Sequence, residues 1–155
     1  MAIEGAAGLT GGCQCGAVRY RLIAEPTGAS ICHCRMCQKA SGGPVMAFAG
    51  VRLKEFVVTN GAIATFSSSD IAERGFCAQC GTPLTYRGLG SDRISVTLGS
   101  LEDSGAVEPL TQLGVESKVG WLVRSVSLPE IHTEQWLAKK KIAAVRNHQH
   151  PDHET

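Results

Sequence analysis

The seven cysteines of this chain fall into three tight clusters, and this arrangement constrains the fold more than any other feature of the sequence. An odd number of cysteines cannot make a complete disulfide framework. The first twelve residues also lack the cationic and apolar regions of an export signal. We therefore expect a cytoplasmic protein whose clustered thiols bind metal, with buried or redox cysteines as the alternative. The clusters are a pair (Cys13 and Cys15), a triplet (Cys32, Cys34 and Cys37) and a knuckle (Cys77 and Cys80).

The spacing of the thiols is compatible with two partitions into metal sites. The knuckle supplies two ligands of a zinc ion, and a structural zinc normally takes four. If the pair completes that site, the triplet is left as a second, separate site. If two thiols of the triplet complete it instead, the pair and one further cysteine have no partner. We favour the first partition because it leaves no thiol unused, and because Gly16 and Gly81 follow the last sulfur of the two motifs.

The triplet, taken as a site of its own, is suited to thiol chemistry. Three protein ligands leave the fourth position of a zinc ion exchangeable, which is the arrangement of catalytic zinc. Three thiolates outweigh the charge of the ion, so such a site favours holding and ionising a soft thiol over generating hydroxide. Arg35 and Lys39 flank the triplet and are candidates to offset its negative charge or to hold a carboxylate of a ligand, with ordinary exposed cations as the alternative.

A histidine that closes the fourth position is the alternative for the triplet. His33 lies between two of the cysteines, but in an extended Cys-His-Cys run its side chain points away from both sulfurs. His132 would have to approach from a distant part of the chain. A closed site would be structural, whereas an open one would be catalytic, and the spacing alone leaves both interpretations open.

Length and charge limit the classes of function. The 155 residues suit one domain over residues 1–155. Fifteen Lys and Arg against 14 Asp and Glu give a formal charge of +1, which excludes binding to nucleic acid or an anionic membrane through bulk charge. The longest nearly apolar stretch, Gly42–Val51, is far shorter than the roughly 18 residues that span a bilayer. We therefore expect neither nucleic acid nor a membrane as a partner.

Turn-forming residues divide the chain into short segments, which is typical of mainly β proteins. The sequence contains 18 glycines and six prolines. Val18–Leu22 and Ile94–Leu98 alternate apolar and polar residues and are predicted to be half-buried strands. Asn60-Gly61 lies between Phe56–Thr59 and Ala62–Phe66 and predicts a two-residue hairpin, because both turn residues readily adopt positive φ.

The C-terminal part of the chain combines weaker patterns. Leu122–Val126 is predicted to be a further strand that ends before Pro129. A short C-terminal helix is predicted over residues 133–146, with an acidic residue in its first turn and lysines further along. The remaining residues, 147–155, are predicted to form a flexible tail with three histidines.

Four sequence blocks occur here in an order that is typical of one family. The resemblance covers about residues 9–136 and includes all seven cysteines. Together the blocks resemble the glutathione-dependent formaldehyde-activating enzyme family, whose domain is shared with the centromere protein V group. The resemblance implies a mainly β, Mss4-like fold, a zinc-containing β-tent. The blocks are Gly11–Tyr20, Cys32–Gly42, Arg74–Leu84 and Val96–Leu101.

The resemblance also implies roles for the thiols and for two zinc ions per chain. The family's reaction joins glutathione and formaldehyde to give S-hydroxymethylglutathione, formally the reverse of a carbon–sulfur lyase reaction. The implied partners are therefore a small thiol and a small aldehyde. No general acid, general base or substrate-binding residue is identified by the motifs. By this resemblance, a structural zinc is held by Cys13, Cys15, Cys77 and Cys80, and a catalytic zinc by Cys32, Cys34 and Cys37.

One stretch departs from the family pattern, and one alternative function remains. Relatives often carry His-Ile-x-x-x-Ser where this chain has Gln112 to Ser117, so the histidine is replaced by Gln112. The alternative function is a non-enzymatic zinc-binding interaction module of the centromere protein V type. Such a module predicts a closed triplet and an exposed apolar or charged surface.

Overall fold

A computed structural model describes residues 8–153 and shows a mainly β protein with short helices. This architecture confirms the predicted fold class, including the short C-terminal helix. The strands are β1 (Thr10–Gly12), β2 (Arg19–Leu22), β3 (Thr27–Cys32), β4 (Met46–Arg52), β5 (Phe56–Asn60), β6 (Ala64–Ser69), β7 (Ala72–Phe76), β8 (Pro83–Gly88), β9 (Arg93–Thr97) and β10 (Thr111–Leu113). The α-helices are α1 (Arg35–Ser41), α2 (Gly120–Arg124) and α3 (Thr133–Lys139).

The strands form a small sheet and a large sheet. The small sheet has the order β1-β2-β5, and the large sheet has the order β10-β3-β4-β9-β8-β7-β6. Neighbouring strands are antiparallel, except that β10 runs parallel to β3. The predicted strands Val18–Leu22 and Ile94–Leu98 are confirmed as β2 and β9, with ends that differ by one residue.

The apolar core connects the two sheets. Tyr20 and Leu22 of the small sheet are buried in one cluster with Val51, Leu84 and Val96 of the large sheet. The Tyr20 hydroxyl forms a hydrogen bond of 2.7 Å with the hydroxyl of Ser100, so this buried polar group is satisfied. The core therefore fixes the turn after β1 relative to the turn after β7, and these two turns carry the pair and the knuckle.

The predicted hairpin at Asn60-Gly61 is wrong. The two flanking segments are strands, but β5 pairs with β2 in the small sheet and β6 pairs with β7 in the large sheet. Gly61 has a φ of +70°, whereas Asn60 does not adopt positive φ, so the type I′ turn that the dipeptide favours is not formed. The Asn60 side chain instead donates a hydrogen bond of 3.2 Å to the carbonyl of Ala17. The dipeptide carries the chain from one sheet to the other.

Gly61→Ala is expected to destabilise the protein by about 2–4 kcal/mol, because two costs add. A left-handed backbone disfavours any side chain by about 1–2 kcal/mol, and the new Cβ would overlap the carbonyl oxygen of Ala17. Gly90 is the matched control: its φ is +76°, but a Cβ there would meet nothing within 4 Å. Gly90→Ala should therefore cost only the backbone term in urea denaturation. Equal losses for the two variants would contradict the predicted overlap.

Two predictions for the C-terminal part need correction. Leu122–Val126 is helical, within α2 and the 3₁₀ turn Ser125–Ser127, and not a strand. A short apolar run does not distinguish helix from strand, and a helix satisfies its own backbone groups without a neighbouring strand. The helix predicted over residues 133–146 ends at Lys139, and Lys141 has a φ of +58° that interrupts helical geometry.

The two ends of the chain are described in part. Residues 1–7 lie outside the described range. They make up most of the first twelve residues, from which we predict that the chain has no export signal. The tail predicted as flexible is described through residue 153, and in it the backbone N–H of His150 donates a 2.7 Å hydrogen bond to the Gln14 carbonyl. Its flexibility stays a prediction. Within residues 8–153, every helix is too short or too polar to cross a bilayer.

Candidate metal centres

The pair and the knuckle meet to form a four-cysteine cluster between the two sheets. The four sulfurs lie within 4.8 Å of one another. The sulfurs of Cys13 and Cys15 are 3.5 Å apart, and those of Cys15 and Cys77 are 3.9 Å apart. Sulfurs arranged tetrahedrally around zinc, at about 2.3 Å from the ion, are about 3.8 Å apart. The donor set and its spacing therefore fit a closed zinc site.

Hydrogen bonds to sulfur orient the ligands of this cluster. The backbone N–H of Val18 donates to the Cys13 sulfur at 3.2 Å, and that of Gln79 donates to Cys77 at 3.4 Å. Burial acts to raise the pKa of Cys80, but hydrogen bonds from Thr82 outweigh it and the pKa is lowered to about 6. The lowered pKa favours the thiolate form of Cys80, which is the form that binds metal.

The triplet forms a second cluster at the start of α1. Its three sulfurs lie within 4.8 Å of one another, with 3.3 Å between Cys32 and Cys34. Cys32 ends β3, and Cys34 is the N-cap of α1, where its sulfur accepts a hydrogen bond of 3.4 Å from the backbone N–H of Cys37. Three clustered sulfurs fit a metal with one position open. The thiols thus group as four and three, the first of the two partitions considered above.

The pKa values of two triplet thiols are shifted in opposite directions. Burial raises the pKa of Cys37 to about 12, although the Arg74 guanidinium acts to lower it. Burial acts in the same direction on Cys34, but the hydrogen bond from the Cys37 backbone and a second one from Cys32 lower its pKa. A metal that binds three thiolates must therefore displace protons, and its affinity increases with pH.

Neither candidate histidine joins the triplet. Among residues 8–153, the group of potential metal ligands at this position contains the three cysteines alone. His33 is buried and points away from the sulfurs, as predicted from the extended backbone, with Nε2 at 2.9 Å from Oε1 of Gln112. Lys118 donates to the same oxygen at 2.9 Å. His132 is exposed at the N-cap of α3.

A cavity of about 230 Å³ opens onto the triplet. Its wall includes the three thiols, the aromatic rings of Phe48 and Tyr86, the guanidinium of Arg74 and several serine hydroxyls. A ligand in this cavity could therefore contact the triplet sulfurs and the Arg74 guanidinium at the same time. The serines are Ser30, Ser68, Ser69 and Ser95.

The buried cation beside the triplet is Arg74, whereas Arg35 and Lys39 agree with the alternative of ordinary exposed cations. Both of these residues are exposed, and Arg35 donates to the Gln38 side chain. Arg74 is 8% exposed, and its Nη2 lies 3.4 Å from the sulfur of Cys37. One sequence feature could have identified it: Arg74 shares a face of β7 with Ala72, and a cation there is unusual.

A family model and one relative among the compared proteins name the same family. The family model of the glutathione-dependent formaldehyde-activating enzyme matches residues 8–117. A Halomonas elongata protein, described as a candidate enzyme of this kind, is 33% identical over 124 residues that cover 74% of this chain and 79% of that protein. An uncharacterized lyase of Schizosaccharomyces pombe is 38% identical over 76 residues, or 49% of this chain and 55% of that lyase.

A solved structure supports the fold alone. The crystal structure of a Rhodobacter sphaeroides protein aligns with a TM-score of 0.50 at 23% identity, and the alignment covers 66% of this chain and 98% of that one.

The matched family region contains both cysteine clusters and the residues that line the cavity above the triplet. The chain belongs to the glutathione-dependent formaldehyde-activating enzyme family.

Proposed function

We propose that this protein is a zinc-dependent carbon–sulfur lyase of the formaldehyde-activating type. It would form and cleave the adduct of formaldehyde with a glutathione-like thiol, S-hydroxymethylglutathione in the family's own reaction. The observation that carries the proposal is the triplet, a cluster of three thiols that faces a cavity and has no fourth protein ligand among residues 8–153. Membership of the family and the lyase name of one relative support the reaction class.

The two clusters would divide the metal functions. The four-cysteine cluster would hold a structural zinc with no free position, and the triplet would hold the catalytic one. When bound there, zinc supplies a positive charge that ionises a thiol and keeps it close.

The residues around the cavity determine what can react there. A volume of about 230 Å³ is below the roughly 300–1,000 Å³ of pockets that enclose a drug-sized ligand, so the cavity suits the reactive end of a larger thiol and a small aldehyde. Phe48 and Tyr86 are apolar walls that exclude water from this end. The serine hydroxyls can orient the aldehyde oxygen, and holding both reactants together lowers the entropic part of the barrier.

A binding function is the second candidate, and one observation favours it. The segment after β10 exposes large apolar side chains, with Val126 at 88%, Ile131 at 63% and Trp121 at 53% exposure. Contiguous exposed apolar surface is typical of interaction sites. A non-enzymatic module of the centromere protein V type would use this surface and would need no open position at the triplet.

The expected location follows from the thiols. All seven cysteines are free in the structure. Free thiols in this number persist in a reducing compartment, so we propose a cytoplasmic protein.

The proposed function predicts two zinc ions per chain and a faster reaction of glutathione with formaldehyde. Elemental analysis of protein purified under reducing conditions measures the metal. Exchange spectroscopy by NMR measures the interconversion of formaldehyde hydrate and its glutathione adduct, and we expect an acceleration of about tenfold or more over buffer. Protein treated with a mild chelator is the control, since the open site should lose its ion first. A single zinc ion per chain, or an exchange rate equal to that in buffer, would refute the enzymatic proposal.

A further inference from the structure

Arg74 occupies an unusual position for a permanent cation. It lies on β7 in register with Tyr86 of β8, and its guanidinium carbon is 5.1 Å from the centre of that ring. The side chain is buried and forms part of the cavity wall above the triplet. A guanidinium stacked on an aromatic ring keeps its plane and its five donors in a fixed orientation.

The donors of Arg74 are poorly satisfied. Its two hydrogen bonds within residues 8–153 both go to sulfur, from Nη2 to Cys37 at 3.4 Å and from Nη1 to Met46 at 3.9 Å. Nε is buried and has no hydrogen-bond partner, and no carboxylate in the described part of the chain pairs with the guanidinium. Buried donors are normally paired, and a buried charge normally has a counter-ion. Arg74 therefore has unused capacity for an anionic oxygen next to the triplet.

The charge of the site also favours the binding of an anionic oxygen at Arg74. Three thiolates around a divalent ion leave one net negative charge, which would repel an anionic reactant. The guanidinium of Arg74 cancels that charge within contact distance of Cys37. A nearly neutral site can receive an anion, and the guanidinium lies in the wall of the cavity that such an anion would enter.

We propose that Arg74 binds the substrate oxygen on which negative charge collects during the reaction. This inference rests on the proposed function. The thiolate sulfur forms a bond to the aldehyde carbon, the π electron pair of the carbonyl moves to its oxygen, and that oxygen then takes a proton from water. The step is redox-neutral, and its reverse returns the same thiolate and aldehyde. A fixed cation beside the developing oxyanion stabilises it more than the neutral aldehyde, so Arg74 acts on the transition state.

Binding of two small thiols tests the inference without any turnover. Mercaptoacetate carries an anionic oxygen close to its sulfur, whereas 2-mercaptoethanol has a similar size and a neutral hydroxyl. Isothermal titration of the zinc-loaded protein should show that mercaptoacetate binds roughly 10- to 100-fold more tightly, as expected for a charged hydrogen bond. Arg74→Met should abolish this preference. Arg87→Met is the matched control, since Arg87 lies on the neighbouring strand, is one-third exposed and pairs with Glu73 at 3.9 Å.

A measurement on the wild-type chain covers the case in which Arg74→Met does not fold. Mercaptoacetate should shift the Nε–H resonance of Arg74 in ¹⁵N NMR spectra and leave that of Arg87 unchanged. The inference is overturned if the wild-type protein shows no preference for mercaptoacetate, if folded Arg74→Met keeps the preference, or if the Nε–H resonance does not respond. Failure of the proposed function would give a different result. The exchange rate of formaldehyde would then equal that in buffer, whereas the preference for mercaptoacetate is measured in a separate binding experiment.

Discussion

Cys77→Ser is expected to destabilise the fold severely. The sulfur of Cys77 is fully buried and belongs to the four-cysteine cluster, where the turn of the small sheet meets the turn of the large sheet. Structural zinc contributes about 10–16 kcal/mol in small zinc domains, which is comparable to the whole stability of a typical domain. A serine hydroxyl does not replace a thiolate as a zinc ligand. We expect a loss of at least about 4 kcal/mol, and a melting temperature lower by about 10 °C or more.

Two further variants separate loss of the ligand from the burial of a hydroxyl group. Serine at a fully buried position costs about 1–3 kcal/mol even without metal. Cys80→Ser removes a ligand of the same cluster at a position that is only half-buried, so a similar loss there identifies the metal as the cause. Cys34→Ser makes the same chemical change in the triplet and should leave the melting temperature nearly unchanged. Wild-type melting with two bound ions in Cys77→Ser would refute a structural role for the four-cysteine cluster.

The strands were predictable where their pattern is local. Alternation of apolar and polar residues is a property of a few consecutive positions, and it identified β2 and β9. The pairing of strands is not local. The dipeptide at Asn60-Gly61 favours a hairpin in isolation, but the burial of Tyr20 and Leu22 in the shared core favours pairing of β5 with β2. Tertiary packing therefore outweighed turn preference.

The cysteine motifs of the candidate sites were also predictable because they are local, but the contacts between distant motifs were not. Each cysteine motif is a short local pattern, and the chemistry of thiolates indicates metal whatever the fold. The contact between Cys15 and Cys77 joins positions 62 residues apart, and the residues offered only indirect arguments for it: ligand economy and the glycine that follows each of the two motifs. Arg74 was not selected as a site residue, because its approach to Cys37 depends on how β7 lies against α1, a contact between residues 37 positions apart.

Cys34→Ser is expected to leave the fold intact and to remove the activity. Serine is among the best N-cap residues, so its hydroxyl can replace the Cys34 sulfur in the hydrogen bond from the Cys37 backbone at the start of α1. The triplet loses one of its three thiolates, and two thiolates do not hold a zinc ion firmly. We expect one zinc ion per chain, stability within about 1 kcal/mol of the wild type, and exchange of formaldehyde slowed by about 100-fold or more.

Cys34→Ala serves as the comparison, since it removes the metal ligand and the cap together. It should lose the same zinc ion and the same activity, and in addition about 1 kcal/mol of stability from the uncapped helix. Calorimetry and elemental analysis of the two variants therefore separate the local structural role of Cys34 from its role in the triplet. If Cys34→Ser unfolds like Cys77→Ser, the triplet is a second structural site. If it loses its ion but keeps the wild-type exchange rate, the chemistry does not take place at the triplet.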